Sequence, residues 1–408
     1  MVRVAIIGYG GYGWSLAEMI QKVSAEAGCK LIAAADGRMA ELAEKNAALQ
    51  AAGVALYDDA LKMLAELKGK CDAVYIATGI NTHDLFTIAA ANAGFHIHLE
   101  KPPAATVQEV DRMLAALRAN KRMCLVGFQS MHSDDLLGLK DRIAAGRFGR
   151  IRSVTCRAGW PRDKAYYSRN NWAGKLKVGQ SWVLDSPTTN ALAHQLTNIL
   201  ALASAKPRTL ATPAAVRAEL YAAGDVESHD TAAIEIATAE GAKVLFLNTH
   251  CNQEHFGPII EIEGEKASAV WHMYHQATIT YSDSTSETIA HDPQQVAKMV
   301  MNFIQAVRDN DASQLRCPLE MTRNMVLALD GAHESSGRII RIPDRCKHKD
   351  AVGTGQERTI VDGIDQVITD AAARRCLYSD LPTPPPWAVK TLPFDLAGYK
   401  TFPVKFTP

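Results

Sequence analysis

The segment Val4-Ala-Ile-Ile-Gly8-Tyr9-Gly10-Gly11-Tyr12-Gly13 constrains this chain more than any other. An apolar stretch leads directly into Gly8-x-Gly10-x-x-Gly13. A second one, Leu31 to Ala35, ends in Asp36 about two dozen residues later. A glycine triplet alone says little. Between a strand and a helix, with an acid closing the next strand, it specifies a dinucleotide-binding βαβ unit. Gly8 permits the tight turn, Gly10 lets the backbone approach a pyrophosphate, and Gly13 lets the helix pack closely on the strand. The helix start offers free N–H groups and a positive dipole end to phosphates, with Tyr9, Gly11 and Tyr12 completing the loop. Asp36 would accept hydrogen bonds from the adenosine ribose, which favours NAD over NADP. Arg38, able to meet a 2′-phosphate, leaves NADP open.

The remaining strands extend this unit. Strands are expected at 3–7, 31–35, 73–77, 95–99 and 123–127, with helices near 13–27, 38–51, 59–68, 82–93 and 106–119. Such alternation predicts a doubly wound parallel sheet covered on both faces. Its carboxyl edge would gather Gly8, Asp36, Thr78, Glu100 and Phe128, and ligands bind open parallel sheets at that edge. From Ile151 the pattern changes to successive strands at 151–158, 231–238, 243–249, 258–263, 266–272 and 277–281. These predict an α+β domain with a large, mostly antiparallel open sheet, flanked by helices at about 188–203, 293–309 and 319–337. The parse is a nucleotide-binding domain over 1–125, a substrate and oligomerisation domain over 126–342, and a proline-rich extension over 343–408. The helix near 319–337 would pack back on the first domain. Leu381-Pro-Thr-Pro-Pro-Pro-Trp387 suggests an extended polyproline arm, ordered by docking on the body or on a second subunit.

Composition narrows the function classes. Lys plus Arg equals Asp plus Glu at 44 each, so no global field attracts nucleic acid or an anionic membrane. No apolar run approaches the roughly 18 to 20 residues of a membrane span. The first strand starts at Val2, leaving no room for a secretory leader. The eight scattered cysteines form no C-x-x-C pair. Reduced thiols in a cytoplasmic protein are the simplest account.

Glu100-Lys101-Pro102 follows the strand His96–Leu99. A lysine at the end of a buried strand, beside a cofactor, can exchange a proton or polarise a carbonyl. The alternative is a surface lysine paired with Glu100. Arg157, Trp160, Arg162, Asp163, Tyr166 and Tyr167 follow the first strand of the second domain, where rings could stack on a sugar and charges bond its hydroxyls; a plain surface loop is the other reading. His250-Cys-Asn-Gln-Glu-His255 contains metal-capable groups, but a polar sheet-edge loop, with His250 or His255 facing substrate, is the simpler reading. Cys346-Lys-His348 is too little for zinc, so no metal is expected.

Taken together, Gly8-x-Gly10-x-x-Gly13, Asp36, Thr78-Gly-Ile-Asn81-Thr-His83 and Glu100-Lys101-Pro102, followed by a sheet domain, resemble the Gfo/Idh/MocA family. Gly146-x-x-Gly149-x-Ile151, Asp230-Thr231 and Ser335-x-Gly337-Arg338 fall in fitting places, so the likeness covers about residues 1 to 340. The resemblance implies an NAD-dependent oxidoreductase acting on a sugar, polyol or glycoside, with Lys101 catalytic beside the nicotinamide. It adds Thr78, Asn81, His83, Glu100 and Gln129 to the cofactor-binding set. It also implies an acid four residues before a histidine in the second domain. Here Trp182-Val-Leu-Asp185-Ser-Pro-Thr-Thr-Asn190-Ala-Leu-Ala-His194 puts His194 in the histidine's place and Asn190 where an aspartate is usual. Asp185 is a possible substitute acid. Residues i and i+4 share a helix face, so Asn190 and His194 are expected to point into one cleft with Lys101. Arg157, Trp160, Tyr166, Trp182, Asn190 and His250 make up the expected substrate-binding set. The resemblance further implies a homodimer or homotetramer formed through the open sheet. Redox-neutral sugar chemistry on a retained NAD, or a non-enzymatic NAD-binding regulator, are the alternatives.

Overall fold

A computed structural model describes residues 1–352 and 356–408. The chain forms two compact units whose boundaries do not follow chain order. The first comprises 1–104, 108–133 and 293–323; the second comprises 105–107, 134–292 and 324–408.

In the first unit, β1 (Val2–Ile7), β2 (Cys29–Ala35), β3 (Ala55–Tyr57), β4 (Ala73–Ile76), β5 (His96–Leu99) and β6 (Cys124–Val126) form one sheet. Its order is β3-β2-β1-β4-β5-β6, with every pairing parallel. β4 and β5 are buried along their whole length, as strands covered on both faces must be. The helix expected at 13–27 is two, Tyr12–Lys22 and Ser24–Ala27, the second ending in a left-handed Gly28. The helix Gln295–Asp309, expected beside the second sheet, belongs to this unit. Its stripe of Met299, Val300, Phe303, Ile304 and Val307 joins Val4, Ile6, Tyr75 and Leu125 in one core. Phe303 meets the rings of Tyr75 and His98 edge-on at 5.4 and 5.6 Å. A periodic stripe announces a buried face without saying which sheet it will cover.

The second unit is built on a ten-stranded mixed sheet. Its strands are β7 (Ile151–Gly159), β10 (Pro213–Ala222), β11 (Thr231–Thr238), β12 (Lys243–Thr249), β13 (Phe256–Gly264), β14 (Ala267–His272), β15 (Gln276–Tyr281), β16 (Ser286–Ala290), β17 (Ile340–Arg341) and β20 (Phe394–Asp395). The short pair β8 (Lys177–Val178) and β9 (Ser181–Trp182) stands apart, as does the hairpin of β18 (Lys347–Val352) and β19 (Gln356–Val361). The large sheet runs β16-β15-β14-β13-β7-β12-β11-β10-β17, with β20 also on β10. Only β7–β12 and β10–β17 pair in parallel. β14 alternates buried and exposed residues, leaving Ser268, Val270 and His272 on an uncovered face.

Residues after 343 differ from the expected extended arm. The β18–β19 hairpin is followed by a helix, Ile364–Arg374. Ile364, Ile368 and Ala371 share a core with Leu245 and Leu247 of β12. The proline run lies on the same core, with Trp387 edge-on to Tyr221 at 4.9 Å and to Tyr378 at 5.7 Å. The C-terminal end is tied down by one buried carboxylate. Glu334 accepts the Tyr399 hydroxyl at 2.6 Å and the Val404, Lys405 and Phe406 N–H groups at 2.5, 2.6 and 2.9 Å. The tail therefore docks on its own chain.

Among the described residues no helix is long and apolar enough to cross a membrane.

Candidate active site

The glycine loop follows β1 directly. Gly8 sits at φ +83, a conformation L side chains rarely adopt, and a Cβ there would meet the Ala77 carbonyl oxygen at 2.6 Å. A Cβ on Gly13 would lie 1.8 Å from the Gly8 carbonyl oxygen, so only glycine lets the helix start this close to the strand. The helix Tyr12–Lys22 has no side-chain cap and no acid in its first turn, so its leading N–H groups remain available to an anion. A Cβ on Gly11 would meet nothing within 4 Å, so that face of the loop is open. Tyr9 is buried and its hydroxyl donates to Asn46, whereas Tyr12 is 45% exposed.

Asp36 ends β2 and braces the loop. Its Oδ2 accepts the N–H groups of Tyr9 and Gly10 at 3.0 and 2.8 Å, and its Oδ1 accepts that of Arg38 at 2.9 Å. Each carboxylate oxygen has two lone pairs, which leaves acceptor capacity for ribose hydroxyls. Lys45, which the sequence did not single out, donates to the Gly10 carbonyl at 2.6 Å. These residues fit a dinucleotide: a capless helix start for its pyrophosphate and an acid for its ribose.

The ends of β4, β5 and β6 bring the next group together. The Glu100 N–H donates to Ile76 and the Gly127 N–H to Leu99, which sets the loops side by side. Glu100 is buried, and its Oε1 has no hydrogen-bond partner. Burial pushes its carboxyl up to about 7, against the pull of Lys101. Gly127 makes room for this carboxylate, since a Cβ there would lie 2.4 Å from Oε1. His83 is buried between two carbonyls, with Nδ1 2.9 Å from Pro102 and Nε2 3.2 Å from Thr78. It thus ties the Glu100-Lys101-Pro102 loop to the Thr78 loop. Asn81 and Gln129 lie on short turns after β4 and β6, both partly exposed.

In the second unit Asn190 and His194 are not on one continuous helix, contrary to the i, i+4 expectation. Pro187–Ala191 forms a wide turn closed by Leu192 N–H to Pro187 C=O at 2.7 Å, and a regular helix starts only at Ala193. The Ser186 hydroxyl accepts the Thr189 N–H at 3.0 Å, which caps the start of this turn. Asp185 is buried and fully engaged. Its Oδ1 accepts Asn190 Nδ2 at 2.8 Å, its Oδ2 accepts the Gly174 N–H at 2.6 Å, and Arg169 lies 4.0 Å away. Asp185 therefore stands directly behind the Asn190 amide.

The loop after β7 carries rings and guanidiniums. The Arg169 guanidinium lies 3.7 Å over the Tyr166 ring, and Arg162 lies 4.7 Å over the same ring and 5.7 Å over Trp160. Trp160 also stacks with His255 at 5.5 Å. His250 is buried beneath, with Nδ1 2.9 Å from the Tyr167 hydroxyl. Burial first, then the positive charges of Arg162 and Arg169, keep it neutral. Two other expected members have partners of their own. Arg157 pairs with Glu261 at 3.5 Å, and Trp182 packs on Phe402 at 5.0 Å beneath the Lys177 ammonium. Arg169 was missed because nothing in its local sequence announces a contact with Asp185 sixteen residues on.

Known proteins match both parts of the chain. A family described as an oxidoreductase family with an NAD-binding Rossmann fold matches residues 2–128, and the GFO/IDH/MocA C-terminal domain matches 136–270. Inositol 2-dehydrogenase of Azotobacter vinelandii is 28% identical over 201 residues, 49% of this chain and 53% of that protein. D-glucoside 3-dehydrogenase of Escherichia coli is 30% identical over 165 residues, 38% of this chain and 43% of that one. The chain thus spans about half the length, or less, of these curated relatives. Among solved structures, the WlbA dehydrogenase of Bordetella pertussis in complex with NADH and UDP-GlcNAcA matches with a TM-score of 0.67 at 23% identity, over 82% of this chain and 96% of that one. Levoglucosan dehydrogenase in complex with NADH and levoglucosan matches with a TM-score of 0.69 at 20% identity, over 82% and 97%. At these identities the structural matches establish the fold.

Proposed function

The chain belongs to the Gfo/Idh/MocA family, with its NAD-binding Rossmann domain, and from that premise we propose an NAD-dependent oxidoreductase acting on a secondary hydroxyl of a sugar, polyol or glycoside. The observation that carries the reading is the gathering of the glycine loop, Asp36 and Glu100-Lys101 at the carboxyl ends of β1, β2 and β5. When bound, the nicotinamide supplies the hydride acceptor. Gly10, Gly11 and the start of the helix Tyr12–Lys22 hold the pyrophosphate, and Asp36 holds the ribose. Lys101 takes up or returns the hydroxyl proton and stabilises developing alkoxide charge. His194 exchanges that proton, as imidazole does near neutrality. Asn190 orients the hydroxyl and cannot itself accept a proton, and Asp185 positions Asn190.

The curated relatives named above act, by their names, on inositol and on glucosides, which supports a polyhydroxylated substrate. The uncovered face of β14 supports a second copy of the chain as a partner, which sedimentation of the purified protein tests. The activity is tested by incubating the protein with NAD⁺ and a panel of sugars, polyols and glycosides, following both reduced cofactor and sugar product. Reduced cofactor formed in step with a keto-sugar is the expected result. Sugar product without reduced cofactor would replace it with redox-neutral chemistry.

A further inference from the structure

We propose that the substrate carries an anionic group, a carboxylate or a phosphate, and that Arg162 receives it; this rests on the sugar-oxidising reading above. A cavity of about 380 Å³ opens beside the loop after β7, lined by Pro161, Arg162, Asp163, Tyr166 and Arg358. It is roomy enough for one charged substituent of a sugar. Most charges there are already spent. Arg358 donates to the Asp350 carboxylate and the Gln253 carbonyl. Asp163 caps the Tyr166 N–H at 2.9 Å. Asp185, the acid nearest Arg169, is held by Asn190 and Gly174. Arg162 has no carboxylate partner, and its side chain meets the Tyr166 hydroxyl. Its Nη1 donates to the adjacent Pro161 carbonyl at 3.3 Å, and its Nε is buried without a partner. Among the described residues no carboxylate lies within the 4.0 Å of an ion pair.

The guanidinium is also pre-aimed. The guanidinium lies 4.7 Å over the Tyr166 ring and 5.7 Å over Trp160, which restrains it, while its Nε has no partner. A planar fork of this kind matches two oxygens of a carboxylate or phosphate. Arg169 on the same tyrosine adds a second positive charge, and both charges are felt by the buried His250. A neutral sugar would leave Arg162 without an acceptor when water is displaced from the cavity, a cost that an anionic one avoids.

The test is calorimetric titration of the NAD-loaded full chain with D-glucuronate, D-glucose 6-phosphate and D-glucose. At least one charged probe is expected to bind about tenfold or more tightly than glucose, and which one does so separates carboxylate from phosphate recognition. Arg162→Gln should erase that advantage with NAD affinity unchanged. Sulfate added to the parent should weaken the charged probe and spare glucose, a check that needs no variant. Equal affinities, a preference that survives Arg162→Gln, or no binding of any probe to the folded protein would overturn the inference. Charged probes that bind without any sugar yielding reduced cofactor would leave the site standing and remove the dehydrogenase reading. Oxidation of neutral sugars as efficient as that of every charged one would do the reverse.

Discussion

The Asn190 side-chain amide donates to the Asp185 carboxylate at 2.8 Å, so the two side chains hold one another. Asn190→Asp would set two carboxyl groups at that distance, and both cannot ionise at once. One carboxyl pKa should rise strongly. The variant is then expected to melt close to the parent at pH 5 and well below it at pH 8. Thermal melts at the two pH values check this; an equal shift at both would contradict the pairing.

Glu100 predicts a second pH effect, with its own sign. Burial raises its folded pKa to about 7 from an ordinary 4.5, so the folded state favours the protonated form. Its contribution to stability is fully present below about pH 4.5 and is lost as pH rises through about 7. Glu100→Gln should therefore flatten the stability profile of the NAD-free protein across that window and raise its melting temperature at pH 8. Denaturant titrations along a pH series measure it.

The glycine loop should fail in two distinguishable ways. Asp36→Ala removes the acceptor of the Tyr9 and Gly10 N–H groups and the expected ribose contact. NAD affinity is expected to fall by about 1–3 kcal/mol. Gly10→Val places its side chain against the Arg38 guanidinium and the Asp36 carboxylate, which lie 2.9 and 3.2 Å from a Cβ there. Its NAD binding should be abolished. Calorimetry on both variants decides, and unchanged affinity in both would refute the cofactor site.

Removing residues 399–408 should destabilise the protein out of proportion to its length. Glu334 would lose a hydroxyl and three N–H donors. Hydrogen bonds to a charged group contribute about 1.5–3 kcal/mol each. Trp182 would lose Phe402 and Phe406, so its fluorescence should shift to the red. A truncated protein with parental stability and emission would show that the tail is not docked.

The nucleotide-binding unit was legible because its signals are local. A glycine pattern, the preceding apolar strand and Asp36 lie within some three dozen residues of one another. The rest depended on distant partners. Gln295–Asp309 reads as an amphipathic helix, but only the fold assigns its stripe to Tyr75 and Leu125. The strand Pro213–Ala222 went unread because it opens on proline and carries Arg217 and Glu219 among alanines, which blurs the alternation. The wide turn at Pro187–Ala191 cannot be told by spacing from a regular helical turn, so spacing alone puts Asn190 and His194 on one face. The tail was judged by its prolines, while the residues that dock it, Glu334 and Tyr221, lie far upstream. In the site, Lys101 was found through its motif. The tie from His83 to the Pro102 carbonyl and the fit of Gly127 against Glu100 are contacts that no motif encodes.

The most direct test of the central claim compares Lys101→Ala with the parent on whichever sugar or polyol yields reduced cofactor. Lys101 is proposed to work on the transferred proton and the developing alkoxide. The variant should keep its NAD affinity and lose about 10² to 10⁴ in kcat. A variant that binds NAD and turns over at the parental rate would contradict the account.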